Sequence, residues 1–270
     1  MTSHIHTEAD LERALESLIA ADPRLAPVLA QAGRPPLRRR EGGFAGLAAI
    51  VCAQQLSTAS AGAIWGRLTL LSDPLDHGAV LRARRDKLAR VGLSAPKIRT
   101  LKAIAKAIDG GHIDLLALAD MPADAAHEAL TRLHGIGPWT ADIYLLSCLG
   151  HADAWPGGDL ALQEAARLAL GLKRRPTTKE MGPLAEIWRP WRAVAARLLW
   201  TYYRAVKGRE GAPVPAPRIA VTAPSGTSRR STSTLPTRSA KPRPAKPKPA
   251  TSKSAKFKST KFKPAEPKRK

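Results

Sequence analysis

Long apolar runs are missing from this 270-residue chain: no stretch reaches the roughly 18 residues that a membrane-crossing helix needs. The opening segment Met-Thr-Ser-His-Ile-His-Thr-Glu-Ala-Asp has neither a basic leader nor an apolar export signal. A soluble protein without a membrane partner is expected. Cysteine is nearly absent as well. Cys52 and Cys148 stand 96 positions apart within apolar stretches, too few and too scattered for a disulfide framework or a metal-ligand cluster. The seven histidines show no ligand spacing of the His-Glu-x-x-His kind, which argues against a hydrolytic metal enzyme. Val/Ile/Thr-rich alternating runs bounded by turns are also lacking, and their absence leaves an all-α fold.

Acidic residues are scarce, 22 against 44 Lys and Arg, so the formal charge is +22. The excess is uneven. Residues 211–270 hold sixteen Lys or Arg and the single acid Glu266, together with eleven prolines and Lys-Pro units such as Lys241-Pro242 and Lys246-Pro247. Such a composition has too little apolar surface to offset chain entropy, so residues 209–270 are expected to form a disordered basic tail. Its charge suits a polyanion, nucleic acid most commonly, with an anionic lipid surface or a mere solubility tail as the alternatives.

Before residue 209 the pattern is helical nearly throughout. Leu11, Leu15, Leu18 and Ile19 recur at helical spacing, as do Phe44, Leu47, Ile50 and Val51. Ser94-Ala-Pro-Lys opens a helix carrying Ile98, Leu101, Ile104 and Ile108, and Gly110-Gly111 closes it. Further helices are predicted over Ala123–Leu133, Trp139–Leu149, Asp159–Leu170 and Pro190–Val206.

Between two of these lies Leu133-His134-Gly135-Ile136-Gly137-Pro138-Trp139-Thr140-Ala141. Two glycines bracketing one apolar residue permit a sharp turn, with Ile136 plugging the gap between the helices. Pro138 suits the first position of the second helix, whose free amides and dipole favour an anion such as a phosphate. A bare Gly-x-Gly would be an ordinary helical hairpin with a glycine cap. Asp159, ahead of Leu160, Leu162, Ala165 and Leu168, would likewise be an ordinary N-cap.

The longer string resembles the hairpin of the helix-hairpin-helix (HhH-GPD) DNA glycosylases, specifically the DNA-3-methyladenine glycosylase II branch. The resemblance runs from about residue 43 to 205. It is carried also by Ile50-Val51-Cys52-Ala53-Gln54-Gln55-Leu56-Ser57, Gly92-Leu93-Ser94-Ala95-Pro96-Lys97, Trp155-Pro156-Gly157-Gly158-Asp159 and Trp188-Arg189-Pro190-Trp191-Arg192. By that resemblance, residues 1–208 would form a compact glycosylase domain with a central lobe at about 44–115 and a second lobe made of 1–43 plus 116–208, flanking a DNA-binding cleft. The resemblance also implies the role of each site residue. Asp159 would be the catalytic carboxylate. Trp139, Trp200, Tyr144 and Ile143 would line the pocket for an extruded base, Ile143 standing where a relative has Tyr. Gln54, Gln55 and Ser57 would face the DNA, Gln55 as the wedge, while Gly135, Ile136, Gly137 and Thr140 would hold phosphate. Lys97, Arg99 and Arg192 would touch phosphate or face solvent. The carbonyls of Thr131, Leu133 and Ile136 would hold a structural monovalent cation.

Bifunctional relatives carry a lysine where this chain has Trp139, so no lyase step and no required cofactor are expected. Two cysteines cannot hold the iron–sulfur cluster of other branches. The implied activity is monofunctional hydrolysis of alkylated bases, of the 3-methyladenine and 7-methylguanine type, from double-stranded DNA by a monomer. The cytoplasm, at the nucleoid in a bacterium, is the implied location. Excision of deaminated or oxidised purines by the same fold, or DNA binding without catalysis, are the competing readings.

Overall fold

In the computed structural model the described residues are 4–211, and the segment read above as a basic tail lies outside them from residue 212 onward. Among the described residues twelve α-helices follow one another: α1 (Glu8–Ala21), α2 (Ala26–Ala32), α3 (Gly43–Ala53), α4 (Thr58–Thr69), α5 (His77–Arg82), α6 (Arg85–Arg90), α7 (Ala95–Asp109), α8 (Ala123–Thr131), α9 (Pro138–Tyr144), α10 (Leu160–Ala169), α11 (Thr178–Ala185) and α12 (Arg192–Lys207). Among the described residues β pairing is limited to one isolated bridge between His4 and His151. No helix there is long and apolar enough to cross a membrane.

Local chemistry accounts for the helix boundaries. Thr7 accepts the Asp10 amide while the Asp10 carboxylate accepts the Thr7 amide, a reciprocal cap that starts α1, and Thr177 with Glu180 does the same for α11. On α7 the stripe Ile98, Leu101, Ile104 and Ala105 is buried, Ile108 half-buried, and Gly110 and Gly111 end the helix as read from the sequence. In α3, by contrast, Phe44, Leu47, Ala48, Ile50, Val51 and Cys52 are all buried, so this helix is covered on nearly every side. It packs on α4, α7 and α9. A second nucleus forms around α12, whose small residues Ala193, Ala195 and Ala196 let α1, α2 and α10 approach closely.

The helix expected over Trp139–Leu149 divides. After Tyr144 the backbone widens into a π-helical turn, Leu145–Leu149, closed by Gly150 at φ +80°. Its carbonyls find partners elsewhere: Leu145 accepts from the His151 amide, Ser147 from the Arg40 amide and Leu146 from Arg197 Nη2. The widened turn thereby ties the loop before α3 and helix α12 to the same segment, which brings three distant parts of the chain together beside α9.

Candidate active site

The hairpin forms where it was expected, although α8 stops at Thr131 rather than at Leu133, because the turn begins with the Leu133 amide bonded to the Leu130 carbonyl. Gly135 takes φ +82°, and a Cβ there would lie 2.9 Å from Thr100 Cβ on α7 and nearer still to its hydroxyl. Only glycine satisfies both demands. Gly137 differs: its φ is −90° and a Cβ would meet nothing within 4 Å, so its openness is not required by internal packing. Ile136 is buried as the plug. Among the described residues no group accepts from the amides of Gly137, Trp139 and Thr140, which leaves three N–H donors at the start of α9.

Asp159 is the N-cap of α10, its Oδ1 accepting the Leu162 amide at 2.9 Å. The carboxylate does more than cap. Trp139 Nε1 donates to Oδ2 at 2.8 Å and Trp200 Nε1 donates to Oδ1 at 3.2 Å. Three N–H groups from α9, α10 and α12 therefore fix both oxygens of one half-buried carboxylate. Held this way, it is an oriented anion with lone pairs left over, suited to stabilising positive charge or receiving a proton.

Trp200 and Ile143 also line a small cavity of about 30 Å³, partly open to solvent, to which Pro36, Arg38, Leu146 and Thr201 contribute. Trp139 does not line it; its connection to the cavity is the shared Asp159 carboxylate. Tyr144 requires a correction. It is fully buried, its hydroxyl donating to the Leu115 carbonyl and accepting the Gly43 amide, so it is a core residue that presents no ring to a pocket.

The Gln54-Gln55-Leu56-Ser57 turn sits close to the hairpin. Gln54 Nε2 donates to Thr140 Oγ1 at 2.6 Å, so the buried Thr140 side chain is committed to this bond and only its amide is available to a ligand. Gln55 is exposed with φ +57°, a left-handed conformation rare outside glycine. Ser57 caps α4 through the Ser60 amide. Lys97, expected at phosphate or in solvent, is neither: its ammonium donates to the Cys52 and Gln54 carbonyls at 2.8 Å each and closes the C-terminus of α3. Arg192 is also corrected, being buried and paired with Asp124 and Asp153, whereas Arg99 is exposed.

Sequence reasoning missed these partners because a lysine side chain that caps a helix 43 residues away leaves no local trace. The one usable signal was that α3 ends without a glycine. Nor did any motif mark His127, whose Nδ1 lies 2.8 Å from Asp142 Oδ1. The bond to Asp142 raises the imidazole's proton affinity, and burial raises that of the Asp142 carboxyl.

No cluster of three or more His, Cys, Asp or Glu able to hold a metal ion occurs among the described residues. Of the three carbonyls assigned to a cation, that of Leu133 accepts the Ile136 amide at 3.1 Å and keeps one lone pair. Both cysteines are buried free thiols, and burial pushes Cys52 up to about 12 and Cys148 up to about 11.

Comparison with known proteins places this geometry. Residues 48–190 match the model of the HhH-GPD superfamily base excision DNA repair proteins. A probable bifunctional transcriptional activator/DNA repair enzyme AlkA of Mycobacterium tuberculosis is 36% identical over 207 residues, which cover 72% of this chain and 40% of that protein. The chain thus spans less than half the length of that relative. DNA-3-methyladenine glycosylase 1 of Schizosaccharomyces pombe is 32% identical over 154 residues, 56% of this chain and 68% of that one. Among solved structures, the S. pombe 3-methyladenine DNA glycosylase Mag1 in complex with abasic DNA aligns with a TM-score of 0.62 at 27% identity, covering 72% of this chain and 97% of that chain. A DNA-3-methyladenine glycosidase from Bacillus halodurans aligns with a TM-score of 0.64 at 26% identity, covering 76% and 92%. The Gly135–Gly137 hairpin, the two indoles and the carboxylate they hold, all but Trp200, fall inside the matched span, and the chain belongs to the HhH-GPD superfamily of base excision DNA repair proteins.

Proposed function

We propose that this chain is a monofunctional DNA glycosylase that extrudes an alkylated base from duplex DNA and hydrolyses its N-glycosidic bond. The observation that carries the reading is the Asp159 carboxylate, fixed by the Trp139 and Trp200 indoles and the Leu162 amide. Breaking the bond builds positive charge on the sugar, and an oriented carboxylate close to C1′ stabilises that oxocarbenium-like state. Alkylation at N3 or N7 makes the base a cationic leaving group, so little acid assistance is required. Asp159 then also orients, or takes a proton from, the attacking water. The alkylated-base assignment is supported by the names of the similar proteins from S. pombe and B. halodurans.

The rest of the site fits a duplex. The amides of Gly137, Trp139 and Thr140 suit one phosphate, and the open space at Gly137 lets it approach the backbone. Gln55, on its exposed turn, fills the gap left by the flipped nucleotide. Carbonyl oxygens are hard donors, so Thr131, Leu133 and Ile136 would hold a monovalent cation that screens that phosphate. Trp139 occupies the place of a lyase lysine, and the chemistry stops at an abasic site.

The test is release of free bases from methylated duplex by the wild type and by Asp159→Asn. Asn keeps Oδ1 as an acceptor for the Leu162 amide and the Trp200 indole, while the charge and the acceptor for Trp139 Nε1 are lost. Release of 3-methyladenine or 7-methylguanine by the wild type, and a loss of at least 100-fold in the variant, is expected. Absence of release overturns the substrate class, full activity of the variant overturns the role of Asp159, and strand nicking by purified protein overturns the monofunctional reading.

A further inference from the structure

The turn that carries Gln55 is strained, and what holds it comes from other helices. Gln54 ends α3 with ψ 130°, and Gln55 follows at φ +57°, a backbone that crowds any side chain larger than hydrogen. Within the turn, the Leu56 amide donates to the Ala53 carbonyl at a long 3.3 Å, and Gln55, Leu56 and Ser57 are all exposed. Strain of this kind persists where the surroundings over-determine the backbone.

Two anchors do this here. From α7, the Lys97 ammonium donates to the Cys52 and Gln54 carbonyls at 2.8 Å each, and the second of these belongs to the peptide group that joins Gln54 to Gln55. From α9, Thr140 Oγ1 accepts Gln54 Nε2 at 2.6 Å, and the Thr140 amide is one of the three free donors of the hairpin. The two anchors are themselves connected. Thr100, three residues after Lys97 and so on the same side of α7, stands against Gly135 so closely that a Cβ there would not fit. Helix α7 therefore touches both the Gln55 turn and the hairpin, and Gln54 closes the link between them.

Resting on the reading of Gln55 as the side chain that fills the gap in the duplex, we propose that Lys97 is a positioning residue for base extrusion. By holding the peptide between Gln54 and Gln55 it keeps the wedge in fixed register with the phosphate-binding amides of α9. A side chain pushed into stacked DNA is pushed back. On a loose turn it swings aside and the base returns to the stack; on a turn pinned to α7 and α9 the force passes to the hairpin that grips the phosphate. Extrusion costs pairing and stacking energy, and costs least where the target base has no partner. Lys97 thus matters in proportion to the pairing that opposes extrusion, and it leaves the chemistry at Asp159 untouched.

Two duplexes separate this role from a purely structural one: 7-methylguanine opposite cytosine, and 7-methylguanine opposite a tetrahydrofuran abasic-site analogue, which removes the pairing partner. With saturating protein under single-turnover conditions, Lys97→Met should release the base about ten-fold more slowly than the wild type from the paired duplex, and within about two-fold of it from the unpaired one. Lys97→Arg, which keeps donors for both carbonyls, should retain most of the paired rate. Gln54→Leu, which frees the other anchor, should reproduce the pattern of Lys97→Met. Loss of folded protein would slow both duplexes alike, so the difference between them reports the wedge alone. Equal losses on the two duplexes, or an unchanged paired rate, in Lys97→Met overturns the role of Lys97 while leaving the glycosylase reading intact. Release from neither duplex by the wild type overturns both.

Discussion

Replacing Gly135 by alanine tests the construction of the hairpin directly. At φ +82° a side chain costs about 1–2 kcal/mol in left-handed strain. The new methyl would lie 2.9 Å from Thr100 Cβ and 3.0 Å from Cγ2, and overpacking of this kind costs about 1–3 kcal/mol. Together the loss is about 2–5 kcal/mol, or roughly 5–15 °C in Tm for a domain of this size. Thermal and urea unfolding of the variant would measure it. Thr100→Ala removes the hydroxyl and Cγ2 but not Cβ, so in the double variant about 1–2 kcal/mol of the loss should return, while the backbone strain persists. Gly137→Ala is the control: with nothing within 4 Å of the added methyl, unfolding should shift by no more than about 0.5 kcal/mol, while DNA affinity falls. A Gly135→Ala protein as stable as the wild type, or one showing no coupling to Thr100, would refute the argument.

Lys97→Met leaves the Cys52 and Gln54 carbonyls at the end of α3 without their ammonium donor and should cost about 1–2 kcal/mol in urea unfolding, with Gln54 loosened from Thr140. Asp22 is buried, and its bonds to Arg24 and then to the Trp188 indole hold its carboxyl below the usual range. A depressed folded value contributes stability above the unfolded value of about 3.9, and that contribution disappears as pH falls through it toward the folded value. Asp22→Asn should therefore flatten the loss of stability below about pH 5; an acid limb identical to that of the wild type would contradict this. Deleting residues 212–270 removes sixteen Lys or Arg, and should weaken DNA binding and reduce its salt dependence by about 0.9 in log–log slope for each phosphate that the tail no longer neutralises, with base excision retained.

Much of the scaffold is local and was legible as such. Helical periodicity located the buried stripes of α1 and α7, and the Gly-x-Gly with its following proline located the hairpin, because turn geometry depends on residues a few positions apart. The N-cap role of Asp159 was legible for the same reason, since its acceptor serves an amide three residues on. The π-helical turn was not, because its widened carbonyls are stabilised by Arg40 and Arg197, which lie far away in sequence.

The site followed the same division. The sequence by itself determined the hairpin, a carboxylate at the head of α10, the absence of a lysine at Trp139 and the family resemblance that ties them together. Tertiary structure alone decided what each side chain faces. Trp139 and Trp200 meet on Asp159 across separations of 20 and 41 residues, and Tyr144, one residue from the cavity-lining Ile143, turns instead into the core. Lys97 and Arg192 spend their charges inside the protein, and Arg38 reaches a cavity built mainly by residues more than a hundred positions later. Periodicity reports which face of a helix is apolar, but which neighbour covers that face is set by packing between elements distant in the chain, and the chemistry of the site resides in those contacts.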